Sequence, residues 1–239
     1  MSDIPSVSPP AKRRYGGVSG EERSKQRQER LLASALDVFG EMGLARATMR
    51  DICADARLAE RYFYEHFSST TEAFEAVYQQ LSAELAEQVA KAVSRAPPSL
   101  SGRAGAGLKV FFQFIKDDPR RAQIVLLDGA TLGHHDLHNA KASIRDFAMV
   151  LNHVAKDMYP DLPAGVNREL VVSGLIGMAV QTCIAWTRGG FQDSIESVIE
   201  HNLYAWYGLD QWYARIKSDG PPRAVQTDSP KRDALAEQC

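Results

Sequence analysis

The stretch LAERYFYEHF, residues 58–67, concentrates recognition chemistry in this chain. Arg61 and His66 offer donors, Glu65 an acceptor, and Tyr62 and Tyr64 a ring with a hydroxyl. Such groups suit phosphate oxygens and base edges. Leu58 and Phe63 have the spacing of buried anchors that would hold the polar face rigid, although aromatics at this spacing in an isolated segment describe a packing face equally well. A second constellation, GHHDLH at 133–138, places His134 and His138 four apart, with His135 and Asp136 adjacent. Four is the spacing of two metal ligands on one helical face, but no third ligand is fixed, and a solvated loop accounts for these histidines more simply. No nucleophile with its base and no pair of carboxylates can be assembled by spacing, so neither an enzyme nor a cofactor is expected.

Position gives the 58–67 stretch its meaning. Basic residues gather early, with Arg23, Lys25, Arg27, Arg30, Arg46, Arg50, Arg57 and Arg61 all preceding residue 67, although the net charge of the whole chain is −2. That asymmetry marks the N-terminal part as the end that would face a nucleic acid. A hydrophobic fraction of 44% and a charged fraction of 24% over 239 residues describe an ordinary globular chain large enough for two domains. No uninterrupted apolar run approaching the roughly 18 residues of a membrane span is evident, nor a signal peptide, so a cytoplasmic protein with no membrane partner is expected. Cys53, Cys183 and Cys239 are odd in number and outside any CxxC pattern, which points to reduced thiols.

The elements that must position these residues are all helical. Residues 1–20 are rich in Pro and Gly and read as a flexible arm whose Lys12, Arg13 and Arg14 could add phosphate contacts. Leu31, Leu32, Ala35, Leu36 and Phe39 recur at helical spacing until Gly43 offers a stop. Thr48, with Asp51 three positions on, reads as the capping box of a second helix, and a break near Ala56 and Arg57 precedes a short third helix ended by Ser68, Ser69, Thr70 and Thr71. Amphipathic helices follow at about 71–95, 103–117, 119–133, 140–159, 167–188 and 192–216, with a solvated tail over 218–239. The reading is an all-α chain with a head over 21–70 (motif about 48–67) and a helical body over 71–217. Three short helices with a tight turn between the second and third, the third carrying the polar and aromatic groups, are the ingredients of a helix-turn-helix that reads the major groove.

The head sequence RLLASALDVFGEMGLARATMRDICADARLAERYFYEHFSSTTEAFEAVY resembles the DNA-binding head of the TetR family of regulators, specifically over about residues 25–80. The resemblance implies a homodimer that binds a palindromic operator through its heads, and a body that holds a small-molecule effector, most often releasing a repressor. It makes Thr48 the cap and a phosphate contact, and Tyr64 and His66 backbone contacts, with Phe67 closing the core. Arg50, Arg57, Arg61, Tyr62 and Glu65 complete the expected DNA-facing set. The chain departs from the pattern at Arg57, where the family has Gly, at Ala59, where it has a capping Ser, and at Thr70, where it has Lys. In the body the resemblance suggests an apolar or aromatic effector lined by Phe111, Phe114, Leu126, Met149, His153, Met178 and Trp186, each of which also reads as ordinary interhelical core. Ser173, Gly174 and Gly177 would let one late helix approach a partner closely, and Trp206, Tyr207, Trp212 and Tyr213 would give the last helix area to bury in a dimer. A small helical enzyme and a protein-interaction module are the rival readings, and tight, salt-sensitive binding to a palindrome separates them from a regulator.

Overall fold

Ser19 opens the first helix, α1 (Gly20–Met42), by accepting the Glu22 backbone N–H on its hydroxyl at 3.0 Å. Gly43, at φ 74, closes it with a backbone bond to Phe39, a left-handed conformation that costs glycine little. The computed structural model describes residues 19–129, 156, 162–163 and 165–219, and every regular element among them is helical. The remaining helices are α2 (Met49–Ala56), α3 (Glu60–Tyr64), α4 (Thr70–Arg95), α5 (Leu100–Asp117), α6 (Arg120–Ala122), α7 (Arg168–Arg188) and α8 (Ile195–Asp219). The basic arm with Lys12, Arg13 and Arg14, the helix expected over 140–159 apart from Lys156, with its Met149, His153 and Met158, and His134, His135 and His138 lie outside the described residues.

The described residues fall into two compact units, 19–82 with 118–129, and 83–117 with the described residues from 156 onward. In the first, Leu31, Ser34, Ala35, Val38 and Phe39 form the buried stripe of α1, packed with Ile52 and Cys53 of α2, Phe63 of α3, and Phe74, Val77 and Tyr78 of α4. Phe39 meets Phe74 edge-on at 5.1 Å. Burying each such ring stabilises the unit by roughly 1.5–3 kcal/mol.

The single helix expected over 119–133 is interrupted, because α6 passes into a π-helical turn over Gln123–Asp128. That wider turn brings Gln123 and Asp128, five apart, to a 3.0 Å side-chain bond, and Asp128 also accepts the Leu44 N–H at 2.9 Å just past the end of α1. Arg120 pairs with both Asp118 and Asp37 of α1, its stem filling the space left by Gly40.

In the second unit, Phe111, Phe112, Phe114 and Ile115 of α5 are buried, as are Val172, Cys183 and Trp186 of α7, and Val198, Asn202 and Trp206 of α8. Gly105 admits Leu203 of α8 to 3.6 Å from where its Cβ would stand. The expectation of no uninterrupted apolar run near 18 residues concerns α7 most directly. Between Glu169 and Arg188, α7 carries no charge, and it is long and apolar enough to cross a membrane by length and composition, although Ser173, Gln181, Thr182 and Thr187 interrupt its apolar run. Only 22% of that window is buried.

Candidate nucleic-acid interface

The entry to the helix-turn-helix is fixed by a reciprocal cap. Thr48 Oγ1 accepts the Asp51 N–H at 3.3 Å, while Asp51 Oδ2 accepts the Thr48 N–H at 2.9 Å and its hydroxyl at 2.6 Å. These bonds hold the Asp51 carboxyl below its ordinary range, because they favour the ionised form. Thr48 and Arg50 stay exposed at the start of α2, and Arg50 pairs with Glu60 of α3 at 3.3 Å.

The turn departs from ideal chemistry at two places. Arg57 caps α2 in the left-handed region, at φ 50 and ψ 46. A side chain there costs roughly 1 kcal/mol or more. Ala59 starts α3 with no side-chain cap. The helix itself is a single turn over Glu60–Tyr64, so its position depends on what packs behind it. Phe63 is fully buried, and Phe67 lies tilted against it at 5.5 Å. Leu58, the other expected anchor, is half-buried.

Outward from those anchors, Arg61, Tyr64 and Glu65 are exposed, Tyr64 at 59%, whereas Tyr62 and His66 are half-buried. His66 Nε2 is enclosed without a hydrogen-bond partner. The structure therefore gathers Arg61, Tyr62, Tyr64, Glu65 and His66 on or just after α3, with Arg57 in the turn and Thr48 and Arg50 at the start of α2. Besides Thr48 and Arg50, which are paired as above, Arg61, Tyr62 and Glu65 are already engaged. Glu65 accepts from Arg27 of α1 at 3.2 Å, and the guanidinium carbons of Arg27 and Arg61 each lie 4.6 Å from the Tyr62 ring centroid. Arg61 Nη2 also donates to the Tyr62 hydroxyl at 2.8 Å.

Sequence reasoning grouped Arg27 and Arg30 only with the general run of basic residues. Arg27 braces α3, and Arg30 donates to the Ala56 carbonyl at 2.6 Å, a cation at the C-terminal end of α2. Their spacing of three on α1 was the available signal, since it puts both on one face. Ser68 and Ser69 likewise do more than end α3. The Ser69 hydroxyl accepts the Glu72 N–H at 3.1 Å and Glu72 accepts the Ser68 N–H at 2.6 Å, which starts α4.

The effector-lining set is divided. Phe111, Phe114 and Trp186 are buried in the second unit and Met178 is half-buried there, while Leu126 is buried in the first unit and Met149 and His153 lie outside the described residues. Phe112 stands edge-on between Phe111, at 5.2 Å, and Trp186, at 5.8 Å. The Trp186 indole N–H donates to the Asp193 carbonyl at 3.0 Å, which ties α7 to the turn before α8. An apolar cavity of about 20 Å³ between α7 and α8 is lined by Val171, Val172, Leu175, Trp206, Leu209 and Trp212 among others, with none of the expected residues among them. It has room for about one water and not for an effector. Among the described residues no cluster of three metal-ligating side chains occurs.

Residues 31–77, which span the capped α2, the strained turn and α3, match the family described as bacterial regulatory proteins, tetR family. Over this segment the chain is similar to the TetR family. The HTH-type transcriptional activator FasR of Mycolicibacterium smegmatis is 26% identical over 186 residues, covering 77% of this chain and 83% of FasR. FadR from Bacillus subtilis, solved in complex with stearoyl-CoA, superposes with a TM-score of 0.64 at 13% identity, over 74% of this chain and 98% of FadR. SmeT, the repressor of the Stenotrophomonas maltophilia multidrug efflux pump SmeDEF, gives a TM-score of 0.56 at 17% identity, over 74% and 89% of the two chains. These likenesses extend the TetR-family fold beyond the head, and the all-α architecture with an N-terminal helix-turn-helix agrees with them.

Proposed function

We propose that this TetR-family chain is a cytoplasmic, effector-responsive regulator that binds a two-fold operator as a homodimer and leaves it when an apolar or aromatic small molecule enters the helical body. The observation that carries the reading is the asymmetry of the head. Phe63 and Phe67 are sealed into its core, while Arg61, Tyr64, Arg57, Thr48 and Arg50 remain exposed along one motif. A single recognition helix reads too few base pairs for useful specificity, and a two-fold pair doubles them.

The late helices support the pairing. On α7, Leu170 is 70% exposed, and no described residue comes within 4 Å of where a Cβ on Gly174 or Gly177 would stand. On α8, Tyr204 and Tyr207 are exposed, and no described residue comes within 4 Å of where a Cβ on Gly208 would stand. Apolar surface of this kind is characteristic of an association face. The stearoyl-CoA bound to the FadR neighbour supports an effector with a long apolar portion. FasR is an activator and SmeT a repressor, and we adopt repression with effector release.

The test uses the full chain. It is mixed with a randomised duplex library, retained DNA is sequenced, and binding to the enriched duplex is followed while stearoyl-CoA or an aromatic compound is added. Enrichment of a palindrome and its release by one of these compounds are expected. Binding to protein partners with no enriched DNA would favour the interaction-module reading.

A further inference from the structure

The recognition helix α3 is a single turn, follows a strained residue and has no side-chain cap at Ala59. Phe63 fixes its depth, but one buried ring leaves its rotation loosely determined. A lateral brace comes from α1. Arg27 Nη2 donates to Glu65 at 3.2 Å, and its guanidinium carbon sits 4.6 Å from the centroid of Tyr62. On the same ring rests Arg61, also at 4.6 Å, with an additional bond to the phenol oxygen. Arg27 is poorly placed to touch DNA itself: its side chain is 24% exposed, its Nε is enclosed, and one terminal nitrogen is committed to Glu65. Arg61 is exposed and so can leave its ring for a base or work from it.

We infer that Arg27 is a positioning residue for sequence reading: by gripping Glu65 and the Tyr62 ring it sets the rotation of α3, and through Tyr62 it holds the Arg61 guanidinium ready for a base edge. The inference rests on the DNA-binding reading above and adds to it a residue outside the helix-turn-helix. A planar guanidinium held in one orientation is suited to bidentate bonding with guanine O6 and N7, whereas a freely rotating one must be ordered on binding. Tyr62 and Glu65 thereby act as parts of the brace and not as independent contacts to DNA.

The experiment compares the full chain with its variants on two probes, the duplex enriched from a random library by the unmodified chain and a scrambled duplex of the same composition, over a range of salt. Arg27→Met should weaken binding to the enriched duplex by roughly tenfold, the scale of a lost cation–π and ion-pair brace. Binding to the scrambled duplex and the log–log salt slope should stay unchanged, because no phosphate contact is removed. Arg27→Met combined with Arg61→Ala should lose clearly less binding to the enriched duplex than the product of the two single losses, since part of the Arg27 effect passes through Arg61. Circular dichroism melting reports whether Arg27→Met folds, and Glu65→Gln, which keeps a hydrogen-bond acceptor, should show the same pattern at roughly threefold. A salt slope reduced by about 0.9 with equal loss on both probes would make Arg27 a phosphate contact and overturn the inference. Unchanged binding of Arg27→Met, or of Glu65→Gln should Arg27→Met fail to fold, would overturn it as well. If the unmodified chain enriches no sequence, the DNA-binding reading fails, and the inference with it.

Discussion

The head and the late helices seal themselves in opposite ways. In the head, polar groups find partners within a few residues or on a packed helix: Thr48 with Asp51, Ser69 with Glu72, Arg30 with the Ala56 carbonyl, and Arg27 with Glu65. Its apolar rings are buried, and what faces solvent along α3 is Glu60, Arg61 and Tyr64, with Glu65 just past its end. On α7 the balance reverses, since a helix without internal charge is only 22% buried over its apolar window and Leu170 protrudes at 70% exposure. Two glycines make the contrast concrete. A Cβ on Gly40 of α1 would stand 2.4 Å from the Arg120 Cβ, whereas one on Gly177 of α7 would meet nothing within 4 Å among the described residues. A surface that is closed apart from a polar edge suits a charged polymer, and one that leaves apolar area unsealed suits another protein surface.

The comparison breaks most visibly at the head's core. Phe63→Ala should destabilise the first unit by about 3–5 kcal/mol, because the ring is fully buried. Chemical denaturation followed by circular dichroism checks this, and a loss under 1 kcal/mol would mean that α3 is not anchored as described. Next in size is Gly40→Ala, expected to cost about 1–3 kcal/mol through overpacking against Arg120. Gly177→Ala should leave the monomer unharmed or stabilise it by up to about 1 kcal/mol through helix propensity, while weakening self-association seen by sedimentation. Similar monomer losses in the two variants would erase the distinction between the closed and open helices.

A smaller effect sharpens the account of the turn. Ala59→Ser supplies the missing cap of α3 and should stabilise the head by about 1 kcal/mol in the same denaturation assay. The smallest effect is chemical. Burial pushes the Cys183 thiol up to about 12 from an ordinary value near 9, with the Thr187 hydrogen bond pulling the other way. Cys183 should therefore stay unlabelled by iodoacetamide at pH 8 in the folded chain, as peptide mass mapping would show, and be labelled in denaturant. Because the folded thiol holds its proton more tightly than the unfolded one, its contribution to stability is complete below about pH 9 and declines as pH rises toward 12.

Local chemistry made the head legible in the sequence. The Thr48 and Asp51 spacing announced the cap, Gly43 the end of α1, and the unfavourable Arg57 appears in the left-handed conformation that its place in the turn demands. The brace from Arg27 was not legible, because Arg27 and Glu65 are 38 residues apart and nothing in either neighbourhood names the other. The π-helical turn at 123–128 was hidden for a similar reason, since Asp128 is tied to Leu44 across 84 residues. In the body, apolar residues recur with helical spacing whether they line a pocket or fill a core, so periodicity found the helices and could not sort Phe111 and Trp186 from an effector-lining set.

The central claim is that the exposed edge of α3 reads DNA and does so in two-fold pairs. Its most direct measurement is selection of a randomised duplex library by the purified full chain, followed by sequencing and sedimentation of the complex. The account predicts one enriched sequence with two-fold symmetry, half-sites separated by about one helical turn or a multiple of it, and two chains or a multiple of two per duplex. An enriched single half-site bound by one chain, or no enrichment at all, would contradict it.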